Sequence, residues 1–138
     1  MSEQQVLKQI EPAGWAPPRG YSSGVVAEGA RLVVLAGQIG WNPATCAFES
    51  DDFVTQVRQA LDNIATLLRE AGAEPRHLVR LTWFITDRAA YVAAQRQIGE
   101  AYRDTIGRNF PPMSVLVVSA LIDARAKVEI EATAVMPR

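Results

Sequence analysis

Residues 114–119 run Ser114-Val115-Leu116-Val117-Val118-Ser119, four apolar side chains in a row between two serines. In a β-strand successive side chains point to opposite faces, so this run is apolar on both. Burying each medium or large aliphatic side chain is worth roughly 1.5–3 kcal/mol, and a wet face of this kind invites aggregation. A sheet containing the run therefore needs cover on both sides.

Outward from this run, β-branched or alternating stretches predict strands over 21–27, 31–38, 78–86 and 127–135, with 6–10 a further candidate. Glu28-Gly29 reads as a hairpin turn joining the first two long strands. Between strands, Val54, Val57, Leu61, Ile64, Leu68 and Ala71 recur at steps of three and four, which is one stripe of a helix over about 52–71. Ser50, Asp51 or Asp52 caps its start, and Gly72 ends it in a left-handed conformation. A second, more polar stripe uses Tyr91, Gln95, Ile98, Tyr102 and Ile106, with Thr86 or Asp87 as N-cap and Gly107 as terminator. The order strand, strand, helix, strand, helix, strand, strand is an α+β arrangement, not a doubly wound sheet. Two helices cover one face; a further copy of the chain is the simplest cover for the other.

The 138 residues fit a single domain, 1–138, with one core. Hydrophobic residues make up 49% and charged residues 21%, which excludes disorder and fibrous repeats. Fourteen Lys and Arg against fifteen Asp and Glu leave a net charge of -1. With no basic track along which to neutralise successive phosphates, nucleic-acid binding is disfavoured. Residues 1–12 lack the basic start and apolar centre of a signal peptide, and no stretch approaches the ~20 apolar residues of a membrane span. Cys46 is the sole cysteine, so no intrachain disulfide forms and a cytoplasmic location is expected. The Pro- and Gly-rich segment 12–20 reads as an ordered loop pinned by Trp15.

Phosphate-binding glycine loops, the dinucleotide fingerprint and histidine clusters are all missing from the sequence, so neither a cofactor nor a metal is expected. His77, the sole histidine, stands at the entry to a strand, where capping or solvation accounts for it. Cys46 lies in the turn Asn42-Pro43-Ala44-Thr45-Cys46 with no histidine beside it in sequence, as an inert thiol does. In Lys127-Val128-Glu129-Ile130-Glu131-Ala132, Glu129 and Glu131 share the face opposite Val128 and Ile130. A solvated edge strand explains such a pair. A carboxylate at a cleft instead orients water for attack on an electrophilic carbon.

Gly20-Tyr21-Ser22, Gly37-Gln38-Ile39, Asn42-Pro43, Gln56 with Leu61 and Asn63, Ala71-Gly72, Phe84 with Asp87, Phe110-Pro111 and Val128-Glu129-Ile130-Glu131-Ala132 occur in that order. In this pattern the chain, over about residues 20–135, resembles the RidA family of reactive imine and enamine deaminases, also called YjgF or L-PSP. The resemblance implies a chorismate-mutase-like fold: a mixed β-sheet with two helices on one face, assembled as a homotrimer around a barrel core, with small-molecule clefts at subunit boundaries. It also implies that Glu129 positions the hydrolytic water and that Tyr21, Ala36, Gly37, Phe110, Met113 and Trp41 line the substrate cleft.

Deaminases of the family place an arginine where this chain has Met113. A thioether cannot supply the planar donor fork that grips a carboxylate. Losing a hydrogen bond to a charged partner, worth roughly 1.5–3 kcal/mol, costs about ten- to a hundredfold in affinity or rate. The usual Ser-Gly-Gln is Ala36-Gly37-Gln38 and the usual Gly-Pro-Tyr is Arg19-Gly20-Tyr21. With Met113, Trp41 and Phe110 in the cleft, a neutral or partly aromatic ligand is expected. Arg19, Arg31, Arg96 and Arg125 are the candidates for a replacement cation, although spacing alone assigns each to the surface. The expected function is binding, with possible hydrolysis, of a small imine, enamine or related metabolite, outside ordinary 2-imino-acid deamination. The alternative is a non-catalytic trimeric scaffold for a metabolite or partner; a ribonuclease ranks last for want of a basic track and a histidine pair.

Overall fold

The computed structural model describes residues 6–137. Its strands are β1 (Val6–Gln9), β2 (Val25–Glu28), β3 (Arg31–Ile39), β4 (Leu78–Ile85), β5 (Met113–Val117) and β6 (Val128–Met136); its helices are α1 (Phe53–Glu70), α2 (Arg88–Ala93) and α3 (Gln95–Thr105). The main sheet has the order β3-β6-β4-β5. β6 runs antiparallel to both neighbours and β4 is parallel to β5, so the sheet is mixed, as expected.

Val57, Leu61, Ile64 and Leu68 of α1 are fully buried against Leu81, Ile85, Val128 and Ile130 of the sheet. The helix begins at Asp52, whose carboxylate accepts from Thr55 N at 2.9 Å, and ends before Gly72 at φ +80°. Two buried amides of α1 hold the strands in place. Gln56 donates to the carbonyls of Ser50 and Arg125 and accepts from Lys127 N, while Asn63 donates to the carbonyls of Ile39 and Trp41. Gly40 allows this approach, since a β-carbon there would lie 2.5 Å from Gln56 Cβ.

Four local expectations are corrected. The second helical stripe is split at Ala94, whose N–H reaches the carbonyls of Ala90 and Tyr91 and closes α2 before α3 starts. Three helices therefore stand where two were expected. Glu28-Gly29 is no hairpin turn: β2 pairs with β1 in a separate two-stranded ribbon. Here Gly29 lies against Val135 and Met136, and Ala30 N donates to Met136 O at 3.1 Å, which directs the chain onto β6. The strand expected from 21 starts only at Val25, because Ser22 is drawn to the carbonyls of Phe110 and Pro111. Trp15, expected to pin its loop, is 67% exposed.

The helices leave the other sheet face open. Leu32 and Val34 are 67% and 69% exposed there, and Leu116 43%. Among the described residues no helix is long and apolar enough to cross a membrane.

Candidate functional site

On the helix side, a cavity of about 390 Å³ opens between α2, α3 and the strands β4 and β5. Met113 faces it because its register partner Leu81 belongs to the core face. Phe110 lies beside it, stacked on Tyr102 with ring centroids 5.2 Å apart. Tyr102 donates its hydroxyl to Asn109 O, and burial pushes its pKa up, so it stays a neutral donor. Burial likewise raises Tyr91, also in the wall.

Among the described residues, Arg19 and Arg103 line the same cavity and no carboxylate does. Among the described residues, neither forms an ion pair: the pairs are Arg58 with Asp104, Arg76 with Glu74, Arg96 with Glu100 and Arg125 with Asp51. The Arg103 guanidinium lies over Gly99, where a β-carbon would come 3.2 Å from Nη1. Trp83 is also in the wall, only 3% exposed, and its indole Nε1 has no hydrogen-bond partner among the described residues. Leaving such a donor unpaired costs about 1–3 kcal/mol. The cavity thus joins an apolar and aromatic wall, with Ile98, Phe110 and Met113, to two exposed arginines at its rim.

Of the four arginines considered as replacements, Arg19 alone reaches this space. Arg31 donates to Pro137 O, and Arg96 and Arg125 are paired with acids. Arg103 escaped sequence reasoning. Its signal was the i,i+4 spacing to Gly99 on the face that also carries Gln95 and Tyr102.

Glu129 lies on the other side of the sheet. Its register partner is Phe84, which faces away from the core that Leu81, Trp83 and Ile85 build. Between Leu35 and Gln38 the β3–β6 register slips by one residue, a bulge containing Ala36 and Gly37. Glu129 is packed onto this bulge: a β-carbon on Gly37 would stand 2.7 Å from Glu129 Oε2. Ala36 is exposed, and its carbonyl accepts from Gln38 Nε2 at 3.0 Å.

Tyr21 is 46% exposed on a loop tethered by its buried neighbour Ser22, whose Oγ donates to Phe110 O at 2.5 Å. Trp41 packs instead on Phe48, 6.2 Å between centroids, beneath the Arg125 guanidinium. One chain therefore brings Met113 and Phe110 together, and Gly37 with Glu129 and Ala36, but puts these two sets on opposite faces of the sheet. His77 is a capping residue, its Nδ1 accepting from Glu74 N at 3.0 Å, and Cys46 is an exposed thiol in a turn at φ 54°.

A family model described as Endoribonuclease L-PSP matches residues 13–136. Protein DfrA of Myxococcus xanthus is 32% identical over 118 residues, 83% of this chain and 84% of the relative. The 2-iminobutanoate/2-iminopropanoate deaminase of Capra hircus is 31% identical over 124 residues, 90% and 83% of the two chains. Among solved structures, YyfB of Yersinia pestis, a Rid-family protein of unknown function, superposes with a TM-score of 0.81 at 33% identity, covering 94% of this chain and 98% of that one.

Proposed function

The chain belongs to the L-PSP endoribonuclease family, also known as RidA or YjgF, and from that premise we propose that it binds and hydrolyses a small imine, enamine or related metabolite in clefts between the subunits of a cytoplasmic homotrimer. The whole chain acts as one domain. Ordinary 2-imino-acid deamination is not its main reaction.

The observation that carries the reading is the Glu129 carboxylate seated on a bulge whose glycine leaves it room. In hydrolysis, Glu129 takes a proton from water as the oxygen adds to the C=N carbon. Glu129 returns that proton to the nitrogen, and collapse of the carbinolamine, its hydroxyl proton passing to the leaving nitrogen, breaks the C–N bond to release ammonia and a carbonyl compound. Tyr21 orients the ligand. Because Met113 and Glu129 diverge within one chain, the cleft needs Met113 from one subunit and Glu129 from the next. The exposed apolar face with Leu32 and Val34 supports such packing.

Met113 supports the departure from ordinary deaminase specificity. Ammonia release from freshly generated 2-aminoacrylate should be slow, and Met113→Arg should raise it about ten- to a hundredfold. Rapid turnover by the parent protein, unchanged in Met113→Arg, would sink this part of the reading. The same methionine favours a second reading, a non-catalytic metabolite-binding trimer. Glu129→Gln separates the two: turnover of a bound substrate disappears under the first, and ligand binding without turnover in both proteins marks the second.

A further inference from the structure

The open face of the main sheet is apolar along its edge strands and charged across its middle. Leu32 and Val34 on β3 and Leu116 on β5 stand exposed there. On the two central strands, the register sets Arg80 of β4 opposite Thr133 of β6, and Glu131 of β6 opposite Thr82 of β4. Glu131 and Thr133 share the face of Glu129, because the alternate residues Ile130, Ala132 and Ala134 are buried on the core side. Arg80 and Glu131 are both exposed, and among the described residues neither forms an ion pair. They are diagonal neighbours, yet the Arg80 guanidinium turns the other way and donates from Nη2 to Ser114 Oγ of the edge strand β5 at 3.0 Å. The face is therefore positive toward β5 and negative over β6, beside β3.

We infer that a second copy of this chain covers the open face with Arg80 of one copy paired to Glu131 of the next. Covering Leu32, Val34 and Leu116 takes water from both charges, and an ion left dry without a partner is strongly disfavoured. Each copy carries the cation and the carboxylate together, so a second copy satisfies both. A partner lacking that pattern leaves one of them unanswered. The apolar side chains supply the attraction, while the ion pair selects the partner and sets its register. In the cyclic trimer proposed above, the pair repeats head to tail around the ring. The inference rests on that self-association and names the residues that give it specificity.

Sedimentation of the full-length chain tests the pair. Arg80→Glu should set carboxylate against carboxylate and raise the dissociation constant of the assembly about a hundredfold or more, and Glu131→Arg should do the same with two cations. Both changes on one chain exchange the charges and should return the constant to within about tenfold of the parent's. Equal parts of the two single variants should form mixed oligomers at concentrations where each alone is a single chain, because a mixed assembly contains matched contacts that neither variant makes by itself. Mixing cannot repair a pair that lies within one chain, so this result separates the two arrangements. Circular dichroism matching the parent's is the control for folding. If a reversed charge prevents folding, the neutral variants Arg80→Gln and Glu131→Gln carry the test, each weakening assembly about tenfold. Single variants that assemble as tightly as the parent, a double reversal that restores nothing, or the absence of mixed oligomers would each overturn the inference and leave the trimer and its clefts standing. A parent that sediments as a single chain removes both readings and leaves the open face to a different protein.

Discussion

A methyl group on Gly37 would meet Glu129 Oε2 at 2.7 Å, so Gly37→Ala forces the carboxylate off its seat. Turnover should fall by an order of magnitude or more, with KM little changed, because the group displaced is the one proposed to handle water. Melting temperature, measured alongside, should move by only a few degrees. His77 gives a second test at this scale. Burial first, then the neighbouring Arg76, lowers its pKa from the ordinary value, so the folded chain holds it neutral while the unfolded chain protonates it readily. The unfolded state then binds more protons, and stability rises with pH. Stability from this residue is fully present above pH ~6.5 and declines as pH falls through that value toward the lowered folded pKa. Urea denaturation from pH 7.5 down to 5.5 should show this slope, and His77→Gln should flatten it.

At the scale of elements, α1 is both a core helix and a brace. Gln56→Leu would keep the volume and strand three backbone partners, the carbonyls of Ser50 and Arg125 and the Lys127 N–H. The cost should be about 2–4 kcal/mol in urea denaturation. The stripe of α1 was legible because its apolar residues meet one uninterrupted core. The break at Ala94 was not, since Tyr91, Gln95, Ile98 and Tyr102 keep helical spacing across it. The false hairpin at Glu28-Gly29 has a similar origin: glycine marks a sharp change of direction, but the strand that receives the chain is more than a hundred residues away. Register slips are equally silent. Gly37 could be singled out by resemblance, whereas the bulge that seats Glu129 on it depends on β6 pairing. Arg103 was hidden because it is an exposed arginine on a polar helix face, which sequence alone assigns to solvent.

Across the whole molecule, the run 114–119 argued for cover on both sheet faces, and the chain supplies helices to one. Replacing Leu32 and Val34 together by aspartate should prevent self-association, because both side chains are exposed on the open face and outside the α1 core. Sedimentation should then report a single chain, circular dichroism should remain that of the parent, and ammonia release should vanish with assembly. A parent protein that sediments as a monomer would refute the trimer and the shared cleft with it.

Because Met113 and Glu129 lie on opposite sides of one sheet, the proposed shared cleft should let two crippled chains repair each other. Co-refolding Glu129→Gln with a cavity-blocked partner such as Met113→Trp should regenerate working clefts, about a quarter of the total under random mixing of equal parts. Complementation between two separately dead proteins would show that a complete catalytic unit belongs to no single polypeptide.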